Sequence, residues 1–442
     1  MKKPPEGGVI KLCIRTLLTA DLASVSHFCI YIKYVSRCYP PPLPSNSENS
    51  NKARKVHVVL LNLWRVVGSK GGTEKVFCDM ANALHNRGYD VTAICHDANT
   101  GKPGFQLDTG IRFINAFKKP PFFAQKTWIK IRTINFKRNV HHEKRNRMLG
   151  QLKATDLLGA LKACENADVI IAYQPESAHY VRDLMKSDLP LVTMYHFTPE
   201  KFMAEEPFCS IHKDSVSKSN IVQVLMPEYV PIAKHLHPNT PVLCIPNVAP
   251  QYEVPAALSS RTIVNIARIA SQKRPELLIE AFALLKDRFP DWTCEWWGET
   301  HVEPELTERV NALITKHGLE NRFLLKGKTN DVESKLRTGS IFAFPSSFEG
   351  QSLSLLEAMA MGLPIAGCAD CPSVNTMIRD GENGVLTQPT AEAYAEGLAK
   401  LMEDEELRRK FGSQAREDMK AYAPERVWNQ WENLLRSLTE SK

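Results

Sequence analysis

Residues 344–364 read FPSSFEGQSLSLLEAMAMGLP and contain three elements in the order strand, loop and helix. The apolar run at residues 340–344 predicts a buried strand, and the apolar residues of 353–361 recur at helical spacing. Gly362 and Pro364 predict the end of this helix, since glycine favours the C-terminal cap and proline cannot continue a helix. Such strand–loop–helix units build parallel sheets that are covered on both faces.

The same alternation extends over most of the chain. Strands are predicted at 56–61, 90–95, 168–172, 189–194, 221–225, 242–245, 262–267, 293–297, 322–325, 340–344, 364–366 and 384–386. Helices are predicted at 73–87, 275–287, 303–316, 353–361, 391–403 and 424–438. The fold class is therefore α/β, with two doubly wound parallel sheets and a ligand cleft between them at the carboxyl ends of the strands.

Proline-rich stretches without periodicity divide this pattern. The expected organisation is an extension and linker at 1–54, a first domain at 55–245, a linker at 246–260, a second domain at 261–422 and a helix at 423–442 that packs back toward the first domain.

The composition excludes several classes of protein. The 442 residues are 43% hydrophobic and 24% charged, which argues against a mostly disordered chain. The longest apolar stretch, near the N-terminus, is broken by charges before it reaches a membrane-spanning length. Eleven scattered cysteines include one C-x-x-C at Cys368 and Cys371, without the second pair that a zinc site needs, and predict thiols in a reducing compartment.

The positive charge is concentrated in one segment. Residues 112–153 contain twelve Lys or Arg and one acid, a net +11, and residues 1–54 carry +5, so the net +7 of the chain leaves −9 for the remainder. Large apolar residues lie among the cations of 112–153, which suits an anionic membrane surface. A solvated basic face is the alternative, and the chain has no nucleic-acid-binding motif.

The loop and helix of 344–364 offer two carboxylates and an anion site. Glu349 lies in the loop and Glu357 eight residues later in the helix, while Gly350 allows a close approach of a ligand to the backbone. The backbone amides at the start of the helix are a natural anion site; they belong to Gln351, Ser352 and Leu353. The residues alone also allow a capping box from Ser354 to Glu357 and a solvated Glu349.

Three further segments follow predicted strands. Arg268 and Lys273 lie five residues apart before a helix that begins at Pro275, a spacing that suits a diphosphate, and Arg274 is interpreted as their neighbour. Gly71 and Gly72 lie in a glycine loop that lacks both the Walker and the dinucleotide-binding pattern. His196 follows the strand at 189–194 and either orients a sugar hydroxyl or is a satisfied structural histidine.

Residues 344–364 resemble the E-x7-E signature of retaining glycosyltransferases of the GT-B fold, family four, and the resemblance covers about residues 55–440. It implies that Glu349 contacts the donor sugar and the transition state and that Glu357 binds the ribose. It further implies that Arg268 and Lys273 hold the nucleotide diphosphate. The family's G-G-x-E segment matches Gly71 and Gly72 as donor contacts, and its histidine near donor and acceptor matches His196.

The resemblance implies transfer of a hexose from a nucleotide-sugar, taken to be a UDP-sugar, with retained anomeric configuration and no metal or other cofactor. The expected acceptor is a glycan or lipid-linked glycan of a bacterial surface polysaccharide. The expected location is the cytoplasm, at the inner face of the membrane through residues 112–153. The family usually has Pro-Asn-Gly where this chain has Pro246-Asn247-Val248. A nucleotide-sugar epimerase of the same fold and a non-catalytic glycan-binding or membrane-binding protein remain as alternatives.

Overall fold

A computed structural model describes residues 54–118, 153–200 and 209–440, and its strands form two separate sheets. The strands of the first sheet are β1 (His57–Asn62), β2 (Asp90–Cys95), β3 (Arg112–Asn115), β4 (Val169–Ala172), β5 (Leu191–Tyr195), β6 (Ile221–Val224) and β7 (Val242–Cys244). Those of the second sheet are β8 (Thr262–Ile266), β9 (Thr293–Trp297), β10 (Phe323–Gly327), β11 (Ile341–Phe344), β12 (Ile365–Cys368) and β13 (Gly384–Thr387).

Both sheets are parallel throughout and share the order of six strands, to which the first sheet adds β7. The first runs β3-β2-β1-β4-β5-β6-β7 and the second β10-β9-β8-β11-β12-β13. In the first sheet, β2 and β3 are added on one side of β1, and β4 to β7 on its other side. In the second sheet, β9 and β10 are added on one side of β8, and β11 to β13 on its other side. The strand order therefore reverses between β1 and β4 and between β8 and β11. The predicted fold class is confirmed, and the loops after these central strands form the crevice where such sheets bind ligands.

Helices cover the sheets and connect the strands. They are α1 (Gly72–Asn86), α2 (residues 153–162), α3 (Pro175–His179), α4 (Cys209–Ser217), α5 (Tyr229–Leu236), α6 (Pro275–Leu285), α7 (Pro304–Lys316), α8 (Val332–Arg337), α9 (Leu353–Ala360), α10 (Pro372–Met377), α11 (Ala391–Glu403), α12 (Glu405–Asp418) and α13 (Pro424–Thr439). A π turn (Tyr180–Leu184) and two 3-10 turns (Ser271–Lys273 and Met419–Tyr422) complete them.

Helix α1 shows how the pattern produces the fold. Its buried residues Phe77, Met80, Ala81 and Leu84 recur at three and four positions and therefore lie on one face, toward the sheet. The helix ends before Gly88, whose φ of +92° belongs to the left-handed region that favours glycine.

The last helix, α13, packs on the first domain. Its apolar face includes Trp428 and Trp431 and joins the cluster of buried residues around β1 and α1. At the edge of this contact, the Arg87 guanidinium donates to Glu425 (2.6 Å) and to Glu432 (3.2 Å). The chain thus crosses between the domains twice, through residues 245–261 and again at α13.

Some elements were not predicted from the sequence. Strand β3 is only four residues long and lies at the sheet edge with no fully buried residue, so its apolar run is too weak to detect. The extension at 1–54 lies outside the described residues except for Arg54, as does most of the basic segment, at 119–152. In the described part of the chain, no helix combines the length and the apolar character that a bilayer crossing requires.

Candidate active site

The loops after β8 and β11 lie side by side, because these two strands are neighbours at the point where the sheet order reverses. Backbone and side-chain bonds hold the loops together. The Ser347 amide donates to the Gln272 carbonyl (2.9 Å), and the Gln272 side-chain amide donates to the Phe348 carbonyl (3.3 Å). The loop with Lys273 and the loop with Glu349 are therefore a single tethered unit.

Lys273 and Glu349 form an ion pair at the centre of this unit. The Lys273 ammonium donates to Glu349 Oε1, and the two side chains are only 12% and 9% exposed. The ammonium also lies 5.7 Å from the centre of the Phe344 ring, at the end of β11. Pairing offsets the cost of burying each charge, and loss of one partner would leave the other uncompensated.

Residues of the first domain contact the backbone of the Glu349 loop. The Tyr229 hydroxyl, at the start of α5, donates to the Glu349 carbonyl (3.0 Å). A Cβ atom at position 350 would lie 2.0 Å from the His196 carbonyl oxygen, so only glycine fits there. The close approach that the sequence predicts at Gly350 is thus made in this structure by the backbone of the other domain.

Asn247 and Gln351 continue this contact. The Asn247 amide donates to Gln351 Oε1 (2.6 Å), and the Asn247 side chain donates to the Gln351 carbonyl (3.2 Å). Among the described residues, the backbone amides of Gln351, Ser352 and Leu353 have no hydrogen-bond acceptor, as is usual at a helix N-terminus.

His196 is buried directly after β5. Its ring stacks on Tyr173, with ring centroids 5.1 Å apart and planes at 22°. It is 9% exposed, and Nε2 has no hydrogen-bond partner among the described residues. Burial lowers the pKa of His196 to about 4, so the ring is neutral at pH 7.

Glu357 has a different environment from Glu349. Helix α9 begins at Leu353 with Ser352 as its N-cap and has no side-chain cap, so the alternative of a capping box from Ser354 to Glu357 is wrong. Glu357 instead lines a cavity of about 230 Å³ between the domains, together with Lys75 and Asp79 of α1. Burial raises the pKa of Glu357 to about 7; the Lys75 ammonium opposes this rise and the Asp79 carboxylate adds to it.

Arg268 lines a second cavity, of about 400 Å³, at the ends of β8, β9 and β11. Ser271, Gln272, Glu303, Ser347 and Phe348 line it as well. Arg274 points elsewhere: its guanidinium binds Asp370 through two bonds of 2.8 Å and 2.5 Å. The structure thus separates Arg274 from the two predicted diphosphate ligands.

The glycine loop of the first domain faces the N-terminus of helix α9. Gly71 is the N-cap of α1, and a Cβ atom at Gly72 would lie 3.7 Å from the Leu353 side chain. Lys70 reaches across to the second domain, where its ammonium donates to Asn330 Oδ1 (2.7 Å). The N-termini of α1 and α9 therefore meet across the cleft.

The structure brings most predicted site residues to one place and adds some that the sequence did not reveal. The Glu349 loop contacts Lys273 and His196, and Leu353 contacts Gly72, whereas Arg268 and Glu357 line separate cavities. The contacts of Tyr229 and Gln272 could not be predicted from the sequence, because a tyrosine at a helix start and a glutamine in a polar loop belong to no recognisable motif.

Two family models match the chain. The model described as "Glycosyl transferases group 1" matches residues 253–418, and "Glycosyltransferase Family 4" matches residues 70–218. The first match covers most of the second domain and ends before α13, and the second lies within the first domain.

Individual proteins agree with these models. An uncharacterised glycosyltransferase of Haemophilus influenzae is 26% identical over 383 residues, which are 86% of this chain and 100% of that protein. A Campylobacter jejuni N-acetylgalactosaminyltransferase, named for a diphospho-undecaprenol acceptor, is 32% identical over 38% of this chain and 44% of its own length. Among solved structures, Staphylococcus aureus TarM in complex with UDP superposes with a TM-score of 0.67 at 15% identity, covering 86% of this chain and 98–99% of TarM.

Proposed function

We propose a reaction for this chain, which belongs to the family-four glycosyltransferases of the GT-B fold. It moves a hexose from a UDP-sugar to a hydroxyl of a glycan or lipid-linked acceptor, with retention of the anomeric configuration. The bond between the anomeric carbon and the diphosphate breaks, and a bond from that carbon to the acceptor oxygen forms. The acceptor proton passes to the departing diphosphate, whose oxygen lies on the same face of the sugar.

The observation that carries this proposal is the buried Lys273–Glu349 pair on the tethered loops after β8 and β11. A lysine ammonium has three donors, so Lys273 can hold Glu349 and a phosphate oxygen together. Charge develops on the leaving diphosphate and on the sugar ring during transfer, and a preorganised cation beside a carboxylate stabilises both. Arg268 would add a second cation from the same loop.

The remaining residues are proposed to position the donor. The amides of Gln351, Ser352 and Leu353 would hold phosphate oxygens at the N-terminus of α9, with Gly71 and Gly72 opposite them at the N-terminus of α1. Glu357 would bind the ribose hydroxyls. Neutral His196 would orient a hydroxyl of the donor sugar or of the acceptor through Nε2.

Charge neutralisation by these protein cations is proposed to replace a divalent metal, so transfer should proceed in excess EDTA. The surface-glycan acceptor is supported by the Campylobacter jejuni relative, which is named for a lipid-linked diphosphate. Residues 112–153 are proposed to bring the enzyme to an anionic membrane surface.

A screen of nucleotide-sugars tests the proposal. The full chain is incubated with UDP-, GDP-, ADP- and dTDP-hexoses, and release of the nucleoside diphosphate is measured with and without a panel of phenyl glycosides. We expect turnover with a UDP-sugar that is unchanged by EDTA, and an NMR spectrum of the product that shows the donor's anomeric configuration. Conversion of the donor to an isomer without acceptor would instead establish an epimerase, and no release with any donor would refute the proposal.

The ribose role of Glu357 has its own test. Glu357→Ala should raise the Michaelis constant for the donor, since two hydrogen bonds to the ribose are lost. Glu417→Ala removes an exposed, paired carboxylate on α12 and serves as the matched control. Unchanged donor kinetics in Glu357→Ala would contradict the assignment.

A further inference from the structure

Two aromatic side chains lie together at the cleft-facing edge of the first domain. Trp64 follows β1 by two residues and Phe197 follows β5 by two residues, and their ring centroids are 5.9 Å apart at an angle of 47°. Strands β1 and β5 flank β4 in a parallel sheet, so the two rings lie at the same end of the sheet, where the strands have their carboxyl ends. Both side chains are partly exposed, unlike the fully buried aromatic residues of the core.

Buried hydrogen bonds fix the position of Trp64. Its backbone amide donates to Asn62 Oδ1 (2.9 Å), which also accepts from the Gln174 side chain (2.6 Å). Gln174 Oε1 in turn accepts from the Leu63 amide (2.8 Å). These three bonds hold the backbone beneath a partly exposed indole ring, although Asn62 Nδ2 has no partner among the described residues.

The aromatic pair adjoins the loop that carries Glu349. A Cβ atom at Gly350 would lie 3.4 Å from Phe197 Cα, immediately beyond its contact with the His196 carbonyl. A ring-shaped molecule lying on Phe197 and Trp64 would therefore reach the neighbourhood of Glu349, His196 and Gly350.

We propose that Trp64 and Phe197 form an aromatic platform for the acceptor, and that the acceptor group bound there is a pyranose sugar. A pyranose presents an apolar face of C–H groups and an edge of hydroxyls. Its apolar face matches a partly exposed aromatic ring, while the hydroxyl edge remains available to the polar groups around Glu349. The inference rests on the proposed function and adds the class of acceptor and the residues that select it.

Acceptor kinetics of Trp64 and Phe197 variants test the platform. The full chain is assayed with its UDP-sugar and with phenyl hexosides, and with glycerol 3-phosphate as an acyclic acceptor. Trp64→Leu and Phe197→Leu should each raise the Michaelis constant for the hexoside about tenfold, which corresponds to the loss of one aromatic contact of ~1.4 kcal/mol. The Michaelis constant for the donor should stay within about twofold, and Trp64→Phe should recover most of the acceptor affinity.

Tyr89→Leu is the matched control. Tyr89 is also a partly exposed aromatic residue of the first domain. It precedes β2 and therefore lies at the other end of the sheet, where the strands have their amino ends. Equal acceptor constants in wild type, Trp64→Leu and Phe197→Leu would overturn the platform. Preferential use of glycerol 3-phosphate, with no effect of either substitution, would overturn it as well.

A binding measurement separates this proposal from the proposed reaction. Saturation-transfer NMR of phenyl β-glucoside and methyl β-glucoside with the wild-type chain should show contacts from the C–H face of the sugar, and Trp64→Leu should weaken them about tenfold. This outcome does not require turnover, so failure of every donor would refute the reaction and leave the platform testable. Equal sugar contacts in wild type and in a folded Trp64→Leu chain, with folding checked by thermal melting, would refute the platform alone.

Discussion

Glu349 and Glu357 are two carboxylates on one strand–loop–helix unit, only eight residues apart, yet they have opposite environments. Glu349 is paired with Lys273 and covered by the backbone of the other domain. Glu357 lines a cavity without a hydrogen-bonded cation in the described part of the chain, and burial raises its pKa to about 7. Residue type and spacing therefore do not determine the surroundings of a carboxylate; the groups that fold around it do.

The largest expected effect comes from removing the charge of Glu349. Glu349→Gln keeps the shape of the side chain but leaves the Lys273 ammonium without its carboxylate. We expect kcat for transfer to fall by about 10²–10⁴-fold, the range found for a lost electrostatic or acid–base group. The matched control is Glu295→Gln, which removes a carboxylate 3.7 Å from the Lys326 ammonium on β10 and should retain activity. Similar activities in the two variants would mean that the buried pair is structural.

Gly350→Ala tests whether the domains must meet closely at Glu349. The added methyl group would lie 2.0 Å from the His196 carbonyl oxygen, so the two backbones must separate. A displacement of about 1 Å near reacting groups costs on the order of 10²-fold in rate, and we expect a loss of that size in kcat. Gly159→Ala is the control, since its Cβ atom would meet only the end of the Lys118 side chain, at 3.7 Å. Full activity in Gly350→Ala would show that the observed contact is not needed for transfer.

Most of the strands and the two loops of the candidate site could be predicted from the sequence, and there are physical reasons why the rest could not. Buried parallel strands are continuous apolar runs, so most of the sheet strands were recognised, whereas short β3 at the sheet edge was not. The loop around Glu349 and the cations at Arg268 and Lys273 follow a motif that is local in sequence.

Contacts between distant segments could not be predicted in this way. The hydroxyl of Tyr229 meets Glu349 across 120 residues, and Asn247 meets Gln351 across 104. The raised pKa of Glu357 likewise depends on how helix α1 and the second domain enclose it. These properties arise from tertiary packing, which a single sequence does not encode in any local pattern.

Glu357→Gln should change how stability depends on pH. Because the folded pKa of Glu357 is about 7 and its ordinary value is 4.5, the folded chain holds a proton that the unfolded chain has lost between these pH values. The free energy of unfolding should therefore fall as pH rises through this window, by on the order of 3 kcal/mol. Glu357→Gln should remove this part of the slope, measured by thermal melting between pH 4.5 and pH 8. Glu417→Gln is the control, and parallel curves for wild type and Glu357→Gln would contradict the raised pKa.

The smallest expected effect separates the two charged neighbours of Glu357 on α1. Lys75 stabilises the ionised form of Glu357 and Asp79 opposes it, and the two side chains pair with each other at 2.6 Å. Lys75→Gln should therefore move the pH window of falling stability upward, and Asp79→Asn should move it downward. Each change in unfolding free energy should amount to only a few tenths of a kcal/mol, since half-exposed charges are screened.

The shifts of the pH window in Lys75→Gln and Asp79→Asn serve as controls for each other. Their opposite signs exclude a general effect of altering the helix, and the double variant should return close to wild type because the two influences cancel. Glu405→Gln breaks the matched i, i+4 pair with Arg409 on α12 and should leave the window in place. If both α1 variants moved the window in one direction, altered packing around Glu357, and not the charge of α1, would be the cause of the shift. If they move it in opposite directions, Glu357 senses the charge of the opposing domain, whereas Glu349 has its cation within its own domain.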